Sequence, residues 1–239
     1  MKIADGRFQY ILFDLDGTLT DPKVGITRCV QYALGKFGID EPDLDKLEPF
    51  IGPPLIESLN EFYGFDEKKA AEAVVFYRER FGDVGIFENK IYGGMEELLA
   101  RLKEEGRTLA IASSKPTIYV NRILQYFNIE QYFDVIVGSE LDGTRSQKNE
   151  VVEEALNRLK ALQQNEPEVQ SESALQHGDK ADENFVMIGD RKFDINAAKK
   201  FGIVSIGVSY GYAAPDELEQ AGADYIVDTV EELGKLLIS

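Results

Sequence analysis

The sequence predicts an α/β fold, a doubly wound parallel sheet of the Rossmann type carrying a small inserted α-helical segment. Three observations predict it. Six short apolar runs recur along the chain, nearly continuous rather than alternating. Segments with helical spacing separate the later runs. Between residues 21 and 92 that rhythm gives way to helical spacing alone.

The first run is Tyr10-Ile11-Leu12-Phe13. Apolar side chains at successive positions suit a strand buried on both faces. After it, Asp21-Pro22 reads as a helix N-cap followed by proline at the first helical position. Ile26, Val30, Ala33, Leu34 and Phe37 follow with helical spacing to Gly38. Leu55, Ile56, Leu59 and Phe62 repeat the pattern to Gly64, and Ala70, Ala73, Val74, Tyr77 and Phe81 to Gly82. No strand is predicted in this stretch. The expected division is therefore an α/β core of residues 1–20 and 93–239, with a helical cap of residues 21–92 inserted after the first strand.

The core resumes with Leu98, Leu99 and Leu102 on a helix that stops at Gly106. Leu109-Ala110-Ile111-Ala112 is the second strand, and Val120, Ile123, Leu124 and Phe127 mark a helix. Val135-Ile136-Val137 is the third strand, followed by a helix carrying Val151, Val152, Ala155, Leu156 and Leu159. Residues 163–184 are polar and read as a long surface loop, with His177, the only histidine, as a solvated loop residue. Phe185-Val186-Met187-Ile188 is the fourth strand. A helix with Ile195, Ala198 and Phe201 stops at Gly202, and the runs Val204 to Val208 and Tyr225-Ile226-Val227 complete the sheet. Thr229 with Glu232 forms a capping box before Val230, Leu233 and Leu237.

Composition narrows the function classes. Of 239 residues, 26 are Lys or Arg and 43 are Asp or Glu, a formal net charge of −17. Such a body repels polyphosphate backbones and anionic bilayers, so neither nucleic acid nor membrane is an expected partner. The single cysteine, Cys29, forms no internal disulfide, and Met1 to Phe8 lacks the apolar core of a signal peptide. A cytoplasmic location is expected. Oligomeric state is not readable.

In an open parallel sheet, reacting groups gather beyond the carboxyl ends of the strands. The first strand ends in Asp14-Leu15-Asp16-Gly17-Thr18, the second in Ser113-Ser114-Lys115, and the fourth in Gly189-Asp190-Arg191-Lys192-Phe193-Asp194. Lys148 opens the helix before that fourth strand. Carboxylates so close to a core need a partner or a metal.

These residues resemble the haloacid dehalogenase superfamily of phosphotransferases. Its Asp-x-Asp-x-Thr motif is matched by Asp14 to Thr18, its strand-ending Ser or Thr by Ser113, its helix-heading Lys by Lys148, and its Gly-Asp-x-x-x-Asp by Gly189 to Asp194. All four occur in family order. The position of the 21–92 insertion resembles the helical cap of the phosphoglycolate phosphatase and β-phosphoglucomutase branch.

The resemblance implies a Mg²⁺-dependent phosphatase acting on a small anionic phosphorylated metabolite such as phosphoglycolate, a sugar phosphate or a nucleoside monophosphate. A β-phosphoglucomutase-like transferase and a non-catalytic binding protein on the same fold are the alternatives. It implies that Asp14 attacks phosphorus and that Asp16 serves as acid and then base. Ser113, Ser114 and Lys148 would hold the phosphoryl oxygens, with Lys115 a rival for Lys148. The metal would rest on the Asp14 carboxylate, the Asp16 carbonyl and Asp190, with Asp194 a further ligand or an orienting neighbour. From the residues alone, Phe50 to Leu55 reads as a lid loop facing the site or as a rigid connector. Lys23 and Arg28 read as solvated charges or as a second anion site. Arg145, Lys115, Arg191 and Lys192 gather positive charge near the motifs.

Overall fold

The computed structural model describes residues 8–165 and 182–238. Six strands form one sheet: β1 (Tyr10–Phe13), β4 (Thr108–Pro116), β5 (Val135–Ser139), β6 (Asp182–Gly189), β7 (Ile203–Val208) and β8 (Tyr225–Val227). Their order is β5-β4-β1-β6-β7-β8, and every pairing is parallel. From β1 the chain runs outward through β4 to β5, then crosses back through the next helix to β6 on the other side of β1, so the sheet's topological switch point lies between β1 and β6.

Both faces are covered, which explains the continuous apolar runs. Ile11 and Phe13 of β1 join one buried cluster, whereas Tyr10 and Leu12 join the other. On the first face lie α4 (Met95–Glu104), α5 (Thr117–Tyr126) and α9 (Val230–Ile238), through Leu99, Leu102, Ile123 and Leu233. On the second lie α6 (Lys148–Asn165) and α7 (Lys192–Phe201), through Val151, Leu159, Ala197 and Ala198. A short α8 (Glu217–Ala221) precedes β8. At α9, Thr229 Oγ1 accepts from Glu232 N at 3.1 Å, but the Glu232 carboxylate reaches back to Asp228 N at 2.8 Å, one residue beyond the expected partner.

Between β1 and α4 come α1 (Lys23–Gly35), α2 (Leu55–Tyr63) and α3 (Glu67–Asp83). Cys29, Val30 and Ala33 of α1 and Ala70, Ala73 and Tyr77 of α3 are buried in the same cluster as the first sheet face. Two details differ from the sequence reading. The stretch is not free of strands: β2 (Thr20–Asp21) and β3 (Lys90–Ile91) pair antiparallel, Thr20 opposite Ile91. Two residues per strand carry no period, so pattern reading passes over them. Helix α1 also begins one residue later than expected. Pro22 takes the N-cap position, while the Asp21 carboxylate still accepts from Lys23 N at 3.0 Å.

Both ends of the polar segment 163–184 differ from the loop its composition suggests. Residues 163–165 continue α6 and 182–184 begin β6. His177 and the rest of that segment lie outside the described residues. Among the described residues no helix is long and apolar enough to cross a membrane.

Candidate active site

Pairing of Phe13 with Ile188 in adjacent parallel strands places the residues that follow them side by side. Asp14 N donates to Ile188 O at 2.9 Å, which fixes Asp14 against the start of the Gly189-Asp190 turn. Asp194 stands in the first turn of α7, where its Oδ2 accepts from Arg191 N at 3.1 Å. Asp14, Asp190 and Asp194 are all buried, and an oxygen from each lies within 4.8 Å of the others.

Lys148, the first residue of α6, is buried among them. Its Nζ lies 2.8 Å from Asp14 Oδ1 and 2.9 Å from Asp194 Oδ1, and donates to Ala112 O at 3.0 Å. The ammonium pairs with two of the three carboxylates, so negative charge is left over in a buried space. Burial, then Asp194 and Asp14, pushes the Asp190 carboxyl well above its ordinary range. Burial also lifts Asp194, to about 6, with Lys148 opposing. Burial works against the Lys148 ammonium, but Asp14 and Asp194 outweigh it and raise its pKa.

Asp190 Oδ2 accepts from Tyr212 N at 2.7 Å, while its Oδ1 is buried without a hydrogen-bond partner among the described residues. Hard oxygen donors, surplus negative charge and an orphaned buried oxygen fit a hard divalent cation. Gly17 makes the close approach possible. Its φ is +81°, and a Cβ there would lie 2.1 Å from Asp190 Oδ2.

Asp16 stands apart from that cluster. Its carboxylate pairs with Lys115 Nζ at 2.9 Å from Oδ1 and 2.7 Å from Oδ2, both side chains being under 10% exposed. Burial raises the Asp16 pKa against the pull of Lys115. Thus Lys115 and Lys148 do not compete for one position: each ammonium serves one of the two leading carboxylates. Ser113 is buried and its Oγ lies 3.4 Å from Lys115 N, while Ser114 presents its carbonyl to Ser139 Oγ at 2.8 Å.

Asp16, Ser114 and Lys115 form one wall of a cavity of about 340 Å³ that extends beneath the inserted helices. Its opposite walls come from Ile26 of α1, Val74, Tyr77 and Phe81 of α3, and Tyr119 of α5. Phe50 and the Gly52-to-Leu55 turn close one side, so this connector also faces the site. Hydrogen bonds that join the inserted segment to the sheet side include Arg191 Nη1 to Ile51 O at 2.7 Å, Gln147 Nε2 to Glu57 Oε1 at 2.7 Å, and Arg78 Nη1 to Leu141 O at 2.9 Å.

The remaining candidate cations are engaged elsewhere. Lys23 binds Asp45 and Glu48, Arg28 binds Glu88, Arg145 binds Glu140, and Arg191 binds Glu217. Lys192 Nζ lies 5.5 Å from the Phe193 ring centre. Sequence reading missed the loop after β7. Tyr210 and Tyr212 reach the acid cluster and the β2–β3 ribbon from there, and the Tyr-Gly-Tyr at a strand's carboxyl end was the available signal.

Comparison with known proteins decides the family. A profile of the haloacid dehalogenase-like hydrolases matches residues 11–208. The chain belongs to the haloacid dehalogenase-like hydrolases. It is 47% identical over 218 residues to a 5'-nucleotidase of Pseudomonas aeruginosa, covering 91% of this chain and 90% of that one. It is 35% identical over 231 residues to the tyrosine-protein kinase PtkA of Mycobacterium tuberculosis, covering 96% and 72%. The crystal structure of a "predicted phosphatase" from Clostridium acetobutylicum superposes with a TM-score of 0.84 at 46% identity, covering 95% and 97%. This haloacid dehalogenase-like hydrolase is a phosphatase, with a buried acidic cluster of the kind that holds a metal ion.

Proposed function

We propose that this phosphatase hydrolyses nucleoside 5'-monophosphates, with Mg²⁺ held by Asp14, Asp190 and Asp194 and by the Asp16 carbonyl. The observation that carries the substrate class is the cavity of about 340 Å³ opening at Asp16 and Lys115. Its aromatic and aliphatic walls exceed what phosphoglycolate fills and suit a flat base on a ribose. The 5'-nucleotidase relative supports the same class.

In this reading residues 21–92 are a lid over a core of residues 1–20 and 93–239. Its helices exclude water and contact the substrate's organic half. Asp14 attacks phosphorus in line: one carboxylate oxygen forms the P–O bond while the ester P–O bond breaks, giving an aspartyl-phosphate. Asp16, on the cavity side, gives its proton to the departing ribose oxygen. It then takes a proton from the water that cleaves the aspartyl-phosphate. Ser113 and Ser114 bind the non-bridging oxygens, and Lys148 shields Asp14 from the incoming phosphate charge. A bound Mg²⁺ would add neutralisation of the phosphate dianion.

A screen of phosphorylated metabolites with Mg²⁺, ranked by kcat/KM, tests the substrate class. Nucleoside 5'-monophosphates should lead. Equal or better turnover of phosphoglycolate or hexose phosphates would reject the assignment, and a requirement for a bisphosphate activator would indicate a mutase.

A further inference from the structure

The loop that follows β7, Ser209 to Ala213, contacts the acid cluster, the Gly17 turn and the β2–β3 ribbon at once. At Gly211 its backbone is wedged between the acid cluster and the Gly17 turn. A Cβ there would lie 2.3 Å from Asp190 Cβ and 2.5 Å from Gly17 O. One residue earlier, Tyr210 Oη donates to Thr18 O at 3.0 Å, and its ring meets Tyr92, just beyond β3, edge-on at 4.8 Å. One residue later, Tyr212 N donates to Asp190 Oδ2 at 2.7 Å, and Tyr212 Oη donates to Asp21 Oδ1. That same Asp21 oxygen accepts from Lys23 N, the first residue of α1.

Asp21 belongs to β2, and β2 and β3 are where the chain passes into and out of the inserted helices. One residue, Tyr212, is therefore bonded by its backbone to a proposed metal ligand and by its side chain to the entrance of the lid. We propose that Tyr212 is a positioning residue, whose hydroxyl on Asp21 braces the loop and thereby fixes the orientation in which Asp190 offers its free oxygen to the metal. The proposal rests on the reading of Asp14, Asp190 and Asp194 as the metal site.

The brace works through one contact. Without it, Tyr212 loses its anchor on β2 while Gly211 stays packed against Asp190, and the Tyr212 N–Asp190 hydrogen bond loses its fixed donor. Groups that orient metal ligands are worth about 10–100-fold in metal affinity. Tyr212→Phe keeps the ring and removes only the hydroxyl.

The test is calorimetric titration of the full-length protein with Mg²⁺ alone, in the absence of substrate, beside a thermal melt. Tyr212→Phe should weaken Mg²⁺ binding by about 10-fold or more while melting close to wild type in chelator. Asp21→Ala should match it, and the double variant should add nothing further. Asp21→Asn, which keeps an oxygen acceptor for both Tyr212 Oη and Lys23 N, should restore wild-type affinity. Mg²⁺ affinity of Tyr212→Phe within about twofold of wild type would overturn the proposal. So would an equal loss in Asp21→Asn and Asp21→Ala. If the wild type takes up no Mg²⁺, or Asp190→Asn binds it as tightly, the reading of the metal site fails instead.

Discussion

Replacing Lys148 by Met tests the charge balance of the buried site. The ammonium sits 2.8 Å from Asp14 Oδ1, 2.9 Å from Asp194 Oδ1 and 3.0 Å from Ala112 O, with a side chain 6% exposed. Methionine fills most of the same volume, so the cavity contribution is small. What the substitution removes is the ammonium paired with Asp14 and Asp194, two of three carboxylates that each place an oxygen within 4.8 Å of the others. Deleting one partner of a buried ion pair costs about 3–5 kcal/mol. In a chain of this size each kcal/mol moves the melting temperature by about 2–4 °C, so a fall of about 6–20 °C is expected in chelator. Adding Mg²⁺ should narrow the gap, because the variant's cluster has lost its internal cation and gains more from an external one. Binding at a hundredfold excess over Kd contributes about 2.7 kcal/mol. Thermal melts by circular dichroism, with EDTA and then with Mg²⁺, read both effects. A variant that melts within about 2 °C of wild type in EDTA would refute the view that Lys148 neutralises the acid cluster.

Other perturbations separate the remaining roles. Asp14→Asn should abolish turnover and the trapping of an aspartyl-phosphate mimic by beryllofluoride, followed by fluorine NMR; near-normal rates would remove Asp14 as nucleophile. Asp16→Asn should slow hydrolysis by about 10²–10⁴-fold while Mg²⁺ binding, read by calorimetry, stays close to wild type; loss of metal affinity would contradict the division between the two carboxylates. Glu88 accepts from Arg80 at 2.7 and 3.1 Å and from Arg28 at 2.8 Å, and these partners, Arg80 first, hold its carboxyl below the usual range. Glu88→Gln should therefore cost about 1.5–3 kcal/mol in urea unfolding at neutral pH. Because the folded pKa is lowered, that contribution is present above the ordinary glutamate value of about 4.3 and disappears as pH falls through the lowered one; a gap that stays constant into acid would refute it. Burial pushes the Cys29 thiol up to about 11 against the pull of Arg80, so it should resist Ellman's reagent at pH 8 until the protein is unfolded. Prompt reaction of the native protein would show that α1 opens.

The sheet and the acid cluster were legible because each rests on a signal that survives without coordinates. Strands buried on both faces must read as unbroken apolar runs, and β1, β4 and β6 do. The rule that parallel sheets gather chemistry at strand ends then picked out Asp14 and Asp190, which the fold brings together. Lys148 came instead from the resemblance to the family's helix-heading lysine, and its Nζ lies 2.8 Å from Asp14 Oδ1. What escaped was contact between distant short segments. Nothing local in Thr20-Asp21 or Lys90-Ile91 distinguishes a two-residue ribbon from a loop. Lys115 and Lys148 are both lysines near a phosphate motif, and only the alternation along β4, opposed to the entry of α6, assigns one to Asp16 and the other to Asp14. Tyr210 and Tyr212 were missed because the end of β7 holds no ionisable motif, although the strand-end rule applied there equally.

The spacing of Asp14 and Asp16 explains why chemistry and selectivity can vary separately in this molecule. Had the strand continued, two residues would return the second carboxylate to the same face, and both acids would crowd the metal cluster. Instead the strand ends at Phe13 and the chain bends at Leu15, before Asp16, and Thr20 O accepts from Gly17 N at 2.7 Å in the turn that follows. Asp14 stays with Asp190, Asp194 and Lys148 inside the sheet edge, while Asp16 passes to Lys115 on the cavity wall. In the proposed mechanism the attacking group, Asp14, is thereby fixed by core residues alone. Asp16, the proposed acid, shares its surroundings with Phe81, Tyr77 and the Phe50 turn, all from residues 21–92. On that proposal, substitutions in that segment should change which alcohol is accepted, and how well its oxygen is protonated, without altering the atoms assigned to the metal or to attack on phosphorus.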